Sequence, residues 1–333
     1  MAMLEVRDLR ISYRQGGRDI MAVDGASLSV PRGSITGIVG ESGCGKTTLG
    51  RAIIGVMASN AAIVRGQILF EGRDLAALPA AQQRQVRWRE IAFVPQSAMN
   101  SLNPVYRVGD QLGNILVARG GCSRAEAGRR RVELFKSVGL SAQRLDDFPH
   151  QFSGGMRQRA AIAMALALHP KLIVADEPVT ALDVLVQKQI LDLLVELRST
   201  HGISIIMVTH DIGVVGYACD RVAVMYGGQI VEHGRTEEVL ANQAHPYTMG
   251  LLQAFPDLGD GNRDLVPING IPPDLANPPP GCRFEPRCPF AIERCLLPVA
   301  PRPATDGHMV ACCRASESAQ LLERAQQAAT WIV

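Results

Sequence analysis

Short apolar runs alternate with helical patterns over the first 255 residues of the chain. Four of the runs are predicted to be buried β-strands: 34–39, 91–95, 171–175 and 203–208. The stretches 46–57 and 160–168 are predicted to be helices. Strands that alternate with helices are typical of an α/β fold with a parallel sheet.

The pattern changes near residue 255. Residues 256–303 hold 12 of the 20 prolines, and five of the eight cysteines lie between 282 and 313. A short helix rich in Ala and Gln is predicted near 316–330. The sequence therefore predicts a domain of residues 1–255, followed by a C-terminal extension of residues 256–333.

Charge and hydropathy exclude some classes of protein. The chain carries 34 basic and 32 acidic side chains, whereas a dedicated nucleic-acid-binding protein usually has a clear basic excess. No apolar run approaches the ~18–20 residues of a membrane span. The N-terminus is charged where a signal peptide would need an apolar core. We therefore expect a soluble, cytosolic chain with no nucleic-acid partner.

A glycine-rich loop separates the strand at 34–39 from the helix at 46–57. It fits the phosphate-binding pattern G-x-x-x-x-G-K-[ST] and consists of Gly40, Glu41, Ser42, Gly43, Cys44, Gly45, Lys46 and Thr47, followed by Thr48. Its glycines let backbone N–H groups face phosphates at the positive end of the helix. Lys46 is expected to reach the β- and γ-phosphates, and the Thr47 hydroxyl to coordinate Mg²⁺. ATP and Mg²⁺ are the expected ligands.

Polar residues that suit phosphoryl transfer follow two other strands. Asp176 and Glu177 come after the strand 171–175, and His210 comes shortly after 203–208. At the carboxyl edge of a parallel sheet, Asp176 would hold Mg²⁺ through water and Glu177 would polarise the attacking water. His210 would bind the γ-phosphate and keep the water and Glu177 in line.

A second anion site is predicted at Ser153-Gly154-Gly155, which opens the helix that continues into 160–168. Its simpler interpretation is N-capping by Ser153, which would not require the two glycines.

These motifs, in this order, resemble the nucleotide-binding subunit of an ATP-binding cassette (ABC) transporter from about Leu4 to Ala254. The resemblance implies a P-loop NTPase fold with a RecA-like core, a β-subdomain and an α-helical subdomain at about 97–170. It also implies that Tyr13 stacks on adenine and that Gln96 touches Mg²⁺ and water. The loop at Asp183 would cross a dimer interface. Met156 and Thr180 depart from the common family pattern without removing a phosphate donor.

The resemblance also implies partners. Two such subunits sandwich two ATP molecules, so this chain needs a second ATP-binding subunit, and a heterodimer is preferred over a homodimer. Two transmembrane permease subunits and a periplasmic or extracellular solute-binding protein complete such an importer. The chain would lie on the cytoplasmic face of the cell membrane as a peripheral subunit, with residues 97–110 near the permease.

Three segments resemble the oligopeptide/dipeptide and nickel importer branch: 149–159, His245-Pro246-Tyr247-Thr248 and the cysteine segment after Pro280. Peptide import is preferred within that branch, and nickel or another small solute is the alternative. An exporter, a catalytically weak half of a heterodimer and a soluble ABC ATPase of DNA repair or translation are further alternatives. Long coiled-coil insertions or a second cassette, which soluble ABC ATPases usually carry, are absent from this sequence.

The C-terminal cysteines Cys282, Cys288, Cys295 and Cys312 could supply four thiolates to a [4Fe–4S] cluster or to tetrahedral Zn²⁺. The spacing lacks the C-x₂-C pair typical of zinc ribbons, which disfavours zinc. The branch resemblance implies an iron–sulfur extension, and a segment without metal stays an alternative. Cys313 leaves the fourth ligand open, although Cys312 fits the family pattern better. Cys44, Cys122 and Cys219 are expected to be inert.

Overall fold

The structure is a computed structural model that describes residues 2–96, 101–254 and 266–331. The chain folds into two compact units, a helix-rich unit of residues 31–35 and 77–208 and a sheet-rich unit of residues 2–30, 36–76 and 209–333. The predicted boundary at 255 and the predicted start of a helical subdomain at 97 both lie outside the described residues. Within the described residues, no helix is both long enough and apolar enough to cross a bilayer.

In the described part of the chain the strands, in order, are β1 (Ala2–Gln15), β2 (Arg18–Pro31), β3 (Ile35–Val39), β4 (Ala61–Phe70), β5 (Arg73–Asp74), β6 (Ile91–Val94), β7 (Leu172–Asp176), β8 (Ser204–Thr209), β9 (Arg221–Tyr226), β10 (Gln229–Arg235), β11 (Arg302–Thr305) and β12 (His308–Val310). The α-helices are α1 (Lys46–Ile53), α2 (Ala80–Arg89), α3 (Val108–Ala118), α4 (Arg124–Ser137), α5 (Gly154–Leu166), α6 (Val184–His201), α7 (Ile212–Ala218), α8 (Thr236–Ala241), α9 (Pro246–Gln253) and α10 (Ser318–Ala325).

The helix-rich unit is built on three parallel strands, with β7 between β6 and β8. Every residue of β7 and β8 is buried, as expected for parallel strands that are covered on both faces. The predicted strands at 91–95, 171–175 and 203–208 are therefore confirmed. Helices α2 to α6 belong to the same unit.

The sheet-rich unit contains an antiparallel sheet with strand order β2-β1-β4-β5. Its other strands are β3, which is parallel to β9, and β10, which is antiparallel to β9. The C-terminal hairpin of β11 and β12 extends this arrangement, because β12 pairs with β10. The cysteine-bearing segment therefore lies in the same unit as the glycine-rich loop.

Local capping explains where the key helices begin and end. Helix α1 starts at Lys46 after Gly45, whose φ of 104° would strain any residue with a side chain. The prediction that α1 reaches residue 57 is wrong, because the helix ends at Ile53 and Gly55 turns the chain with a φ of 69°. Helix α9 begins at Pro246, whose ring suits the first turn of a helix, and α10 lies within the predicted 316–330.

Candidate functional site

The glycine-rich loop encloses the side chain of Lys46. The ammonium group of Lys46 donates hydrogen bonds to the backbone oxygens of Gly40 (2.7 Å) and Glu41 (2.8 Å), and only 5% of the residue is exposed. A Cβ on Gly40 would lie 2.0 Å from the backbone oxygen of Met225, so only glycine fits there. The loop thus holds a positive charge at the start of α1, where an anion is favoured.

Tyr13 and the loop residue Cys44 both bear on the predictions for this loop. The Tyr13 hydroxyl lies 3.3 Å from the Thr48 hydroxyl, so the structure brings the predicted adenine-stacking residue to the helix that follows the loop. Cys44 is buried, and burial raises the pKa of its thiol although the neighbouring Lys46 opposes this. A protonated, buried thiol agrees with the expectation that Cys44 is inert.

In the helix-rich unit, Glu177 is held in a strained conformation. Its φ is 48°, and its backbone N–H donates to the oxygen of Val208 at 2.8 Å. One carboxylate oxygen accepts hydrogen bonds from the Gln96 amide (2.8 Å) and from the Thr180 hydroxyl (3.0 Å). The structure therefore brings Gln96 and Glu177 together. Thr180, noticed in the sequence only as a departure from a pattern, contacts the carboxylate directly.

Asp176 and His210 end two strands in different surroundings. Asp176 is the last residue of β7 and is only 2% exposed, which suits a carboxylate that is paired or binds a cation. His210 follows β8 and is exposed, and the next residue, Asp211, caps α7 by accepting from the N–H groups of Gly213 and Val214.

Ser153 does cap α5, since its hydroxyl accepts from the N–H of Met156 at 3.3 Å. Gly155 is required for another reason, because a Cβ there would lie 2.5 Å from Val186 in α6. Gly154, like Gly155, is partly exposed at this helix start. Asp183 caps α6 through the N–H of Val186 (3.0 Å).

The five cysteines that lie between residues 282 and 313 meet at one small cavity of about 10 Å³ in the sheet-rich unit. The thiols lining it belong to Cys282, Cys288, Cys295, Cys312 and Cys313. The sulfurs of Cys295 and Cys313 are 3.4 Å apart. Burial raises the pKa of Cys312 to about 12 and that of Cys313 to about 11. Among the described residues, no three His, Cys, Asp or Glu side chains form a group that could hold one metal ion.

His245 lines the same cavity and is only 1% exposed. Its Nδ1 accepts the backbone N–H of Tyr247 at 3.0 Å, which leaves the proton of the neutral ring on Nε2. Nε2 has no hydrogen-bond partner in the described structure, and burial lowers the pKa of the ring to about 3. The backbone N–H of His245 donates a hydrogen bond to the buried carboxylate of Glu232 at 3.0 Å.

Two arginines connect the cysteine segment to other parts of the sheet-rich unit, and one of them contacts the glycine-rich loop. Arg287, next to Cys288, pairs with the carboxylate of Glu41 at 2.7 Å. Arg283, next to Cys282, donates to the backbone oxygen of Gly227 and pairs with Asp24. Neither arginine was predicted from the sequence, where a place next to a cysteine is the one available signal.

Comparisons with known proteins match both parts of this arrangement. The model of the ABC transporter family matches residues 23–180, and that of the oligopeptide/dipeptide transporter C-terminal region matches residues 231–295. Oligopeptide transport ATP-binding protein OppD of Bacillus subtilis (strain 168) is 46% identical over 295 residues, 87% of this chain and 82% of that protein. The chain belongs to the OppD-like family of ABC ATP-binding proteins. OppD of Salmonella typhimurium is 43% identical over 317 residues, 95% of this chain and 94% of that protein.

Solved ABC structures share the fold. The dimeric ATP-binding cassette MJ0796, bound to ADP and Pi, has 28% identity and a TM-score of 0.63, covering 70% of this chain and 99% of that one. CbiO1 from Clostridium perfringens is 30% identical and has the same TM-score. The match covers 73% of this chain and 92% of CbiO1. The predicted ABC cassette fold is thus confirmed, and this family member is an ATP-binding ATPase.

Proposed function

We propose that this ABC ATPase powers the import of oligopeptides through a membrane permease. The observation that carries the proposal is the similarity to oligopeptide transport ATP-binding proteins over most of the chain. That similarity includes residues 231–295, which lie beyond the cassette match and correspond to a region typical of oligopeptide and dipeptide transporters.

The proposed ATP site uses the loop 40–47 and Thr48 for the phosphates, with Lys46 as the main cationic group, and Tyr13 for the adenine. Thr47, Asp176 and Gln96 offer oxygens of the kind that Mg²⁺ prefers, and bound Mg²⁺ would neutralise charge on the phosphates. His210 binds the γ-phosphate and helps to align the attacking water.

Glu177 acts as the group that polarises the attacking water. Hydrogen bonds from Gln96 and Thr180 to one carboxylate oxygen support this role, because they fix the direction of the carboxylate. Most of the acceleration then comes from positioning and charge stabilisation, since phosphoryl transfer needs little covalent help from the protein.

A second ATP-binding subunit completes each ATP site by presenting its own Ser153-Gly154-Gly155 equivalent, and a heterodimer is preferred. Exposed apolar residues support a contact of this kind next to Asp183. Val184 is 84% exposed and Leu185 is 67% exposed at the start of α6.

The permease contact is proposed for the neighbourhood of residues 97–110, on the cytoplasmic face of the membrane. Residues 97–100 lie outside the described structure, but Val105 and Tyr106 are 70% and 55% exposed. Two permease subunits and a solute-binding protein outside the membrane would complete the importer.

The cysteine cavity is proposed to hold a [4Fe–4S] cluster because its residue types suit that chemistry, although among the described residues the thiols do not form a group that could hold one metal ion as they lie. Thiolates are the usual cluster ligands, and Cys282, Cys288, Cys295 and Cys312 all reach the cavity. The unpaired Nε2–H of His245 suits a sulfur acceptor. The cavity, of about 10 Å³, has room for about one water molecule at most, so a cluster would require the thiols to move apart. A bound cluster would supply an electron-transfer or structural centre.

Recovery of the native complex tests the transport proposal. Membranes solubilised in mild detergent are passed over a resin that binds this chain, and the co-purifying proteins are identified. Two polytopic subunits and a second cassette are expected, and peptides should stimulate ATPase activity when the solute-binding protein is present. Stimulation by nickel alone would redirect the cargo to the metal, and recovery without any membrane protein would favour a soluble ABC ATPase.

A further inference from the structure

Arg287 uses every hydrogen-bond donor that its side chain has. The guanidinium group of arginine carries five N–H donors in a rigid plane. In Arg287 they reach both carboxylate oxygens of Glu41 (2.7 and 3.1 Å), the Tyr226 hydroxyl (3.1 Å) and the backbone oxygens of Ile268 (3.2 Å) and Asn269 (2.9 Å). The side chain is only 6% exposed. Such a group can hold its partners in one geometry that lysine could not reproduce.

Glu41, the partner, is the second residue of the phosphate-binding loop and is held at each of its polar groups. Its carboxylate pairs with Arg287, and its backbone N–H donates to the Tyr247 hydroxyl at 2.9 Å. Its backbone oxygen accepts from Lys46 at 2.8 Å. Two of these three contacts come from residues after 245, so the C-terminal part of the chain sets the conformation of the loop.

The other end of the connection is the cysteine cavity. Arg287 is bonded directly to Cys288, within a short turn closed by hydrogen bonds from Glu285 N–H to Cys282 O (3.0 Å) and from Cys288 N–H to Glu285 O (3.1 Å). Pro286 stiffens the turn further. A displacement of Cys288 would therefore move Arg287 rather than be absorbed by a flexible linker.

The geometry makes the pair with Glu41 persistent. Two guanidinium nitrogens of Arg287 donate to the two carboxylate oxygens of Glu41, and the arginine side chain is almost fully buried. Arg283 makes a second, parallel connection, since Gly227 precedes Gly228, whose N–H donates to the backbone oxygen of Cys44 at 2.9 Å.

We propose that Arg287 is a positioning residue for ATP binding. It holds Glu41 in place, and it transmits a displacement of Cys288 at the cysteine cavity to the phosphate-binding loop. The state of the cysteine cavity would thereby adjust the affinity of the subunit for ATP. The inference rests on the proposed function, because the loop must bind ATP for its position to matter.

The first test compares the full-length chain with Arg287→Lys by equilibrium binding of Mg–ATP and by steady-state ATPase kinetics. The dissociation constant and KM for ATP should rise roughly tenfold, towards the lower end of the usual range for coupled sites, while kcat at saturating ATP stays near wild type. Arg294→Lys is the matched control, since Arg294 is exposed and also precedes a cysteine. Unchanged ATP affinity in Arg287→Lys, or an equal loss in Arg294→Lys, would overturn the proposal.

The second test measures the coupling itself. Cys288→Ser should weaken ATP binding in the wild-type background but add no further loss to Arg287→Lys, because both changes act through the same connection. Additive losses would refute transmission through Arg287. Glu41→Gln provides the same comparison from the loop side if Arg287→Lys does not fold. A wild-type chain that fails to bind ATP would instead contradict the proposed function.

Discussion

At the scale of single residues, Glu177 and Ala181, on either side of Thr180, both adopt a left-handed backbone conformation. Glu177 has a φ of 48° and Ala181 has a φ of 64°, conformations that cost a residue with a side chain of order 1–3 kcal/mol. The loop keeps this strain while Gln96 and Thr180 both hold the Glu177 carboxylate. Backbone strain of this kind is expected where the direction of a side chain, here the Glu177 carboxylate, matters for the reaction.

Replacement of Glu177 by Gln should separate binding from hydrolysis. The amide keeps the shape of the side chain but accepts protons poorly, so kcat should fall by about 10²–10⁴-fold while ATP still binds. Single-turnover hydrolysis and equilibrium ATP binding measure the two effects. Glu133→Gln, an exposed change in the same unit, serves as the control. Retention of most activity in Glu177→Gln would show that another group polarises the water.

Replacement of Lys46 by Ala should act on binding instead. The change removes the buried ammonium group that donates to Gly40 and Glu41 and, in our proposal, to the phosphates. Charge-assisted hydrogen bonds contribute about 1.5–3 kcal/mol, so the dissociation constant for ATP should rise at least about tenfold. Isothermal titration with Mg–ATP measures it, with circular dichroism as the check on folding. Wild-type affinity would remove Lys46 from the phosphate site.

His233 makes stability depend on pH. Burial, with smaller effects of Arg221 and His308, lowers its pKa from 6.5 to about 4. Between pH 6.5 and about 4, His233 is therefore protonated in the unfolded chain but not in the folded chain. The free energy of unfolding falls as the pH drops through this range.

The loss from His233 is at most about 1.4 kcal/mol per pH unit. His233→Gln should reduce the change in the urea-unfolding midpoint between pH 7 and pH 5. His201→Gln, at an exposed site, should leave that change as it is in the wild type. An equal pH dependence in wild type and His233→Gln would contradict this assignment.

At the scale of elements, α5 and α6 approach each other closely at Gly155. A methyl group there would meet Val186 at 2.5 Å, and the χ1 angle of valine in a helix leaves little room to turn away. Gly155→Ala should therefore destabilise the fold by about 1–3 kcal/mol. Val186→Ala in the same chain should restore most of that loss, as thermal or urea unfolding would show. A double variant no more stable than Gly155→Ala would place the strain elsewhere.

The elements themselves were largely predictable from local sequence. The strands β3, β7 and β8 are fully buried and mostly apolar, so their structure is specified by neighbours in the chain, as is that of the glycines before Lys46. The overlong prediction for α1 failed because a left-handed Gly55 ends the helix while its apolar pattern continues. Capping by Ser153 was the simpler alternative to the predicted anion site, but the need for Gly155 arises from α6, which no local pattern describes.

At the scale of the whole molecule, the features that could not be predicted are contacts between distant parts of the chain. Arg287 and Glu41 are 246 positions apart, and Glu232 and His308 are 76 apart. The five C-terminal cysteines could be grouped from their spacing, but the addition of His245 to their cavity could not. Packing of the C-terminal segment against the rest of the sheet-rich unit creates these contacts, so they appear only when the chain is folded.

The same packing makes the cysteine centre testable in the intact protein. Protein purified without oxygen should be brown and contain iron and acid-labile sulfide in equal amounts, because four thiolates at one cavity suit a [4Fe–4S] cluster. Cys288→Ser should lose most of the iron and sulfide. Cys122→Ser should keep both, since Cys122 contacts Arg130 in the other unit and does not line the cavity.

Iron analysis also decides between the other ligand sets. Cys313→Ser should retain the cluster if Cys312 is the fourth ligand, whereas loss in Cys313→Ser with retention in Cys312→Ser would reverse that assignment. Zinc in place of iron, at one ion per chain, would replace the cluster with a tetrahedral site. Colourless protein without iron, sulfide or zinc would show that the five thiols form a packed cavity without a metal. Arg287 would then position Glu41 in the phosphate-binding loop without transmitting any change of a metal centre.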